Sequence, residues 1–248
     1  MNLDRIIAVR TGKTVYSDEG RAIKIFDSDY PKADILSEAL NQARAEETGL
    51  NVPSVLEVTT IEGKWAIASE YIKGPTLEQL MAANPDKCDE YIELFVDVQL
   101  DIHSRICPLL CRLKDKIDRK ILESELEATL RYDLYSRIED MPGHKKLCHG
   151  DFNPSNVIIS DGGKAYIVDW SHAAQGNASA DVASTYLYFR LANKKKLGDK
   201  YIDAYCQRSG VSKQYVLRWI PIVAASLSVT GRPEEKELCL SIARHPEN

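Results

Sequence analysis

The sequence predicts an α+β protein of two lobes: a small antiparallel sheet with one main helix, followed by a larger, mainly helical lobe. Three observations carry this expectation. Short stretches of alternating polarity occupy the N-terminal part up to Glu70, the period of two that a half-buried strand imposes. From Thr76 onward, apolar residues recur at three- and four-residue intervals, as on one face of an amphipathic helix. Between the two patterns, Gly74-Pro75 breaks regular structure of either kind and suits a hinge. The expected spans are therefore 1–72 and 73–248.

Ile6 to Arg10 and Thr14 to Ser17 form a predicted hairpin across Thr11-Gly12-Lys13, and Ala22 to Phe26 follows the Asp18-Glu19-Gly20 turn. A helix is expected from Lys32 to Thr48, with Gly49 as its C-terminal cap. Val55 to Thr60 and Trp65 to Glu70 complete the strands around a turn at Glu62-Gly63. Thr76 with Gln79 three residues on has the pattern of a capping box. Helices are then expected over Tyr91–Ser104, Leu122–Ile138, Ser179–Leu191, Leu197–Gln207, Lys213–Ser228 and Glu234–Arg244. Two short strands interrupt them, Val157–Ile159 and Tyr166–Val168, joined by Asp161-Gly162-Gly163.

The 248 residues are 44% apolar and 28% charged, enough to form a core without metal or disulfide staples. A net charge of −5 argues against nucleic acid as the main partner, since phosphate backbones recruit basic surfaces. The N-terminal segment, with acidic Asp4, lacks the apolar run of a signal peptide. No stretch approaches the ~18 apolar residues of a membrane span, so no membrane partner is expected. Six scattered cysteines without a C-x-x-C pair fit free thiols in a reducing cytoplasm. His103, Cys107 and Cys111 recur every four residues, but Pro108 ends the helix before Cys111, and the spacing is that of a buried stripe.

The most informative stretch runs from Cys148 through His149-Gly150-Asp151-Phe152-Asn153-Pro154-Ser155-Asn156 into the apolar Val157-Ile158-Ile159. A turn-rich loop carries His149, Asp151 and Asn156 into a two-strand ribbon, and the second strand ends at Asp169. The ribbon brings Asn156 and Asp169 to one end, two hard oxygen ligands of the kind Mg²⁺ takes. Asp151 and Asn156 have the D-x-x-x-x-N spacing of kinase catalytic loops. His-Gly-Asp in place of His-Arg-Asp, and Asp-Trp in place of Asp-Phe-Gly, resemble the aminoglycoside phosphotransferase and choline kinase superfamily.

That resemblance implies a bilobal protein-kinase-like fold and transfer of the γ-phosphoryl group of ATP, with Mg²⁺, to a small-molecule hydroxyl. It makes Asp151 the group that handles the proton of the attacking hydroxyl, with His149 beside it in the catalytic loop as a brace. Asn156 and Asp169 become the metal ligands. Lys24, in Ala-Ile-Lys-Ile, is similar to the phosphate-binding lysine of the kinase V-A-I-K strand. Its carboxylate partner should lie on the next helix. Glu38, fourteen residues on, is the first choice; Glu46 and Glu47 are alternatives, less well placed in the last turn. Ser69-Glu70-Tyr71-Ile72 resembles a hinge that receives adenine through the Glu70 carbonyl and the Ile72 amide. Thr11-Gly12-Lys13, with its turn residue Gly12, lies over the phosphates in this reading. Asp181 is similar to an acid that buttresses the catalytic loop, and His103 to a packed structural histidine.

No Ala-Pro-Glu motif or long activation segment follows Asp169, which favours a small acceptor over a protein. Aminoglycosides, choline or ethanolamine, homoserine and sugar-like alcohols all remain open. So do a non-catalytic nucleotide-binding module and an atypical protein kinase. For a cationic acceptor, Asp203, Glu234, Glu235 and Glu237 are candidate acids, and Trp170, Tyr186, Tyr188 and Trp219 a candidate aromatic cage. These residues do not specify an oligomeric state.

Overall fold

Residues 5–230 and 233–245 are described by a computed structural model of the chain. Asp4 and the outer ends of the expected spans 1–72 and 73–248 lie outside them. The chain forms two compact units, one from Met1–Lys87 with Pro154–Ala173, the other from Cys88–Asn153 with Ala174–Asn248.

Two-residue turns set the register of the N-terminal sheet. Strands β1 (Arg5–Arg10), β2 (Lys13–Asp18) and β3 (Arg21–Phe26) are joined at Thr11-Gly12 and Glu19-Gly20. Glu19 and Gly20 both have positive φ, 44° and 83°, the backbone that matches strand twist in a tight hairpin. Helix α1 (Lys32–Glu46) follows, then β4 (Val55–Ile61) and β5 (Lys64–Glu70), again across two positive-φ residues, Glu62 and Gly63. The sheet is antiparallel in the order β1-β2-β3-β5-β4. Phe26 and Ile67 on one face meet Ile35 and Ala39 of α1, while Ile23, Ala66 and Ala68 form a cluster on the alternate positions. Helix α1 stops two residues before the expected Thr48. The Gly49 N–H closes the turn on the Glu46 carbonyl at 2.9 Å, and Gly49 takes φ 82°.

Helix α2 (Leu77–Ala83) begins on the predicted capping box: Thr76 accepts from the Gln79 amide, and the Gln79 side chain accepts from the Thr76 amide. After α3 (Cys88–Ser104), α4 (Leu113–Glu123), α5 (Ala128–Glu139) and the short β6 (Lys146–Cys148), the chain rejoins the first unit as the ribbon β7 (Val157–Ile159) and β8 (Ala165–Ile167). Backbone hydrogen bonds tie the ribbon in: Ile159 N–H to Pro75 O at 2.9 Å, Asp161 N–H to Lys73 O at 3.2 Å, and Ile167 N–H to Asn51 O at 2.9 Å. Compactness therefore does not follow a single cut at 72/73. Residues 73–87 and 154–173 group with the sheet because their main-chain donors and acceptors are satisfied there. Gly74 is required by that contact, since a Cβ on it would sit 1.9 Å from the Ile159 carbonyl oxygen.

The second unit is mostly helical. It adds β9 (Ala174–Gly176), antiparallel to β6, and α6 (Ala178–Leu191), α7 (Lys195–Ser209), α8 (Lys213–Leu217), α9 (Ile220–Leu227) and α10 (Pro233–Arg244). Its core contains the rings of Phe95, Phe152, Phe189 and Tyr201. Phe95 stacks on Phe152 at 4.3 Å and takes Phe189 edge-on at 6.2 Å. Two expected helices are each two. Leu122–Ile138 breaks at Ser124, whose amide and hydroxyl both turn back to the Ile121 carbonyl. Lys213–Ser228 breaks at Arg218-Trp219, and Pro221 lies in the first turn of the next helix, where its missing N–H costs nothing. Helix α3 ends at Ser104, so Cys107 and Cys111 share no helical face with His103. No helix among the described residues is long and apolar enough to cross a membrane.

Candidate active site

In the first unit, four ionised side chains converge. Lys24 projects from β3 on the face that α1 covers. Ile35 and Ala39 anchor α1 to the sheet, and Glu38, between them in the helical repeat, is 2% exposed. Lys24 Nζ is hydrogen-bonded to Glu38 Oε1 and lies 3.2 Å from Asp169 Oδ1. Lys13, the first residue of β2, makes the same pair of contacts: 3.2 Å to Glu38 Oε2 and 3.1 Å to Asp169 Oδ1. The alternatives to Glu38 are engaged elsewhere. Glu46 accepts from the Ser54 hydroxyl at 2.6 Å, and Glu47 is exposed just beyond α1.

Asp169 owes its place to a backbone kink at the end of the ribbon. It takes a left-handed conformation, φ 66°, that Asp tolerates better than most residues. The buried Trp170 donates from Nε1 to the Ile167 carbonyl at 3.0 Å, and Asn41 of α1 donates to the Ser171 carbonyl at 3.3 Å. Burial alone would raise the Asp169 pKa, but Lys24 and Lys13 overcome it and hold the carboxyl far below the ordinary range. Burial likewise opposes the charge on Lys24, yet Asp169 and Glu38 hold its ammonium above its ordinary value.

A cavity of about 530 Å³ opens in this unit, and Lys13, Lys24, Glu70, Ile72, Asn156 and Asp169 are on its wall. The Asn156 carbonyl accepts from the Val168 amide at 3.0 Å, which sets the start of β7 beside the end of β8. Asn156, Asp169 and the two lysines thus share one cavity with Glu70 and Ile72. Gly12 is not on that wall. It turns the β1–β2 hairpin with φ 74°, and a Cβ there would meet the Tyr30 ring at 3.0 Å.

The second unit carries His149 and Asp151 on a loop held from below. Asp181, in the first turn of α6, accepts from the His149 amide at 3.0 Å and the Gly150 amide at 2.7 Å. It also meets His103 Nε2 at 3.0 Å, while His103 Nδ1 meets the Tyr205 hydroxyl at 2.8 Å. Burial opposes the Asp181 charge, but the His103 contact, His149 and the Gly150 N–H together lower its pKa. His149 is fully buried, and its Nδ1 accepts from the Asp151 amide at 3.3 Å. Phe152, locked in the aromatic core, takes the Thr185 hydroxyl on its carbonyl at 2.7 Å. The Asn153 side chain donates to the carbonyl and to Oδ1 of Asp151, at 3.1 and 3.3 Å.

His103, Cys148 and Asp181 bring potential metal-ligand atoms within 4.8 Å of one another. Both His103 nitrogens are already hydrogen-bonded, and burial pushes the Cys148 thiol well above its usual pKa, which keeps it protonated. The cluster is built as a brace for the loop.

A second cavity, about 690 Å³, lies in the helical unit with Arg137, Arg190, Lys195 and Arg218 on its wall and no carboxylate among its lining residues. Asp203, Glu234, Glu235 and Glu237 line neither cavity, and Asp203 is paired with Lys213 at 2.5 Å. Trp170 and Trp219 are core residues, 0% and 4% exposed, so they do not face a ligand as parts of a cage.

Two side-chain roles escape the sequence reading, although the Thr11-Gly12-Lys13 turn as a whole is expected over the phosphates. Lys13 follows a turn glycine, where a lysine ordinarily faces solvent. Its only signal is its offset of two from Val15, the cross-strand partner of Lys24. Asn153 reads as a turn former, although its position two after Asp151 is the spacing of a local side-chain bond.

Comparison with known proteins adds to this geometry. The family model described as "Phosphotransferase enzyme family" matches residues 10–217. Hygromycin-B 4-O-kinase of Escherichia coli is 28% identical over 90 residues, 31% of this chain and 26% of that protein. The chain thus aligns with about a quarter of that relative's length. Among solved structures, a thermostable mutant of aminoglycoside phosphotransferase APH(4)-Ia in complex with ADP and hygromycin B superposes with a TM-score of 0.71. Its identity is 15%, over 98% of this chain and 94% of that one. Choline kinase LicA from Streptococcus pneumoniae gives 0.64 at 15% identity, over 96% of this chain and 89% of that one. These likenesses establish the protein-kinase-like fold expected from the catalytic-loop motif.

Proposed function

The chain belongs to the phosphotransferase enzyme family, and on that premise we propose that it transfers the γ-phosphoryl group of ATP to a hydroxyl of a small molecule. The observation that carries this reading is the cavity where Lys24, Asn156 and Asp169 meet, with Glu38 paired to the lysine. The donor set suits magnesium: a carboxylate and an amide oxygen are hard ligands, and phosphate oxygens complete such a shell. When bound, magnesium neutralises charge on the β- and γ-phosphates.

The protein's own groups then have separate tasks. Lys24, oriented by Glu38, holds the α- and β-phosphates, and Asn156 and Asp169 hold the metal. The Glu70 carbonyl and the Ile72 amide receive the adenine edge, with the Gly12 hairpin beside the phosphates. Residues 1–72 serve the nucleotide, while 73–248 supply the catalytic loop, the metal ligands and the acceptor site. Asp151, its Oδ1 held by Asn153, accepts the proton of the acceptor hydroxyl as that oxygen bonds to phosphorus. The bond between phosphorus and the ADP oxygen breaks, and ADP leaves with the electron pair. His149 positions the loop through the Asp151 amide rather than touching substrate. Six cysteines, none in a disulfide, suit a cytoplasmic setting.

The test is acceptor-stimulated ADP release from MgATP across aminoglycosides, choline, ethanolamine, homoserine and sugars. Anionic alcohols belong in the panel, because four cations line the cavity of the helical unit. Asp151→Asn should lower turnover about 10²–10⁴-fold, the usual contribution of a general base, while MgADP binding is retained. ADP release that no acceptor stimulates, or that Asp151→Asn leaves intact, would overturn the assignment.

A further inference from the structure

The catalytic-loop resemblance assigns one lysine to the phosphates, but this cavity has two. Lys13 is no surface lysine: its side chain is 10% exposed, against 17% for Lys24. It is fixed from both sides. The Gly12 carbonyl accepts the Asp27 amide at 2.9 Å, and Lys13 stands opposite Phe26, a core residue of α1's face of the sheet. The two ammonium groups divide the carboxylates in a particular way. Glu38 gives one oxygen to each lysine, whereas Asp169 gives the same oxygen, Oδ1, to both. Two positive charges therefore sit 3.1 and 3.2 Å from one oxygen of the carboxylate that the proposed function gives to a metal.

We propose that Lys13 is a second phosphate-holding group that also guards Asp169, keeping metal off this carboxylate until phosphates arrive. This rests on the nucleotide-binding reading above. A divalent cation approaching Asp169 alone meets two ammonium groups at contact distance, and their repulsion opposes it. Polyphosphate reverses the balance. Each ammonium has three donors and a flexible stem, so it can turn from Asp169 to a phosphate oxygen without leaving Glu38. Asp169 is then released for the metal that the phosphates bring. Nucleotide and metal bind cooperatively, and the coupling is reciprocal. Lys24 alone would set one ammonium, not two, against Asp169 Oδ1.

The test measures binding, so turnover plays no part in it. Mn²⁺ affinity without nucleotide is read by electron paramagnetic resonance, and MgADP affinity by calorimetry, on the full chain and on Lys13→Met, Lys13→Gln and Lys13→Arg. Removing the charge should weaken MgADP about tenfold, the scale of one charge-assisted hydrogen bond. The same two variants should bind Mn²⁺ alone several-fold more tightly than the wild type. Lys13→Arg keeps the charge and should stay near the wild type in both. A merely structural lysine gives no gain in metal affinity, so Mn²⁺ affinity that is unchanged or falls in both neutral variants overturns the inference. Wild-type protein that binds no MgADP overturns the nucleotide reading as well, whereas equal MgADP binding by wild type and variants overturns this inference alone.

Discussion

Asp169 and Asp181 carry the clearest electrostatic signature in the molecule. Asp169 is partly buried and Asp181 fully so, and both have a lowered pKa, the first through two lysines, the second through His103, His149 and a backbone N–H. A lowered carboxyl contributes stability above its unfolded pKa, about 4, and loses it as pH falls toward the native value. Thermal melts should therefore be level from neutral pH down to about 5 and drop steeply below 4. Asp181→Asn should lower the melting temperature at neutral pH and flatten that acid limb; an unchanged limb would assign acid unfolding to other groups. Thiols give a second residue-scale expectation. Burial raises the pKa of Cys148 well above normal and that of Cys239 to about 11, while Cys111 is exposed. A maleimide at pH 8 should label Cys111 first and leave Cys148 unlabelled until the protein unfolds, as peptide mass mapping would show. Much of this scale is legible in sequence. Lys24 and Glu38 pair at the separation their strand and helix suggest. Lys13 is not legible, because its role depends on which face of a hairpin α1 covers.

At the level of elements, local chemistry is well encoded and long-range chemistry is not. The Thr76–Gln79 capping box, the Glu62-Gly63 turn and the ribbon turn at Gly162-Gly163 all lie where their residues indicate. Thr76→Ala should cost about 1 kcal/mol in a denaturant melt, the usual value of a lost N-cap. β6 and β9 are invisible in the sequence, because three-residue strands have no period and exist only through long-range pairing with each other and with residues 105–112. The break between α4 and α5 escapes for a related reason. Leu126, Leu134 and Ile138 keep a helical spacing although the chain turns at Ser124, and exposed Leu122 belongs to no buried stripe. Gly74→Ala is the sharper test of this scale. Its Cβ would strike a backbone oxygen with no side chain able to yield, so a loss of at least about 2 kcal/mol is expected by chemical denaturation.

For the whole molecule, the division into units matters more than the position of any one border. The sheet, α1, α2 and the ribbon form one body, although the ribbon is encoded after α3, α4 and α5. A fragment ending at Lys87 should therefore fail to bind MgADP by calorimetry, and mixing it with a peptide of residues 154–173 tests whether the missing piece restores binding. The sequence shows where the patterns change from strand to helix, and Gly74-Pro75 marks that change. It does not show that the ribbon returns, because hydrogen bonds to Asn51, Lys73 and Pro75 leave no periodic trace.

That return orders the protein's birth. During synthesis, the N-terminal sheet emerges while the strands that will seal it are still being made. At ~5–20 residues per second, the 67 positions from Lys87 to Pro154 take roughly 3–13 s to translate. For that interval Asn51, Lys73 and Pro75 offer backbone groups with no ribbon to receive, and Lys13, Lys24 and Glu38 wait without Asp169. The nascent chain thus carries unsatisfied backbone groups whose exposure slower translation over residues 88–153 would lengthen.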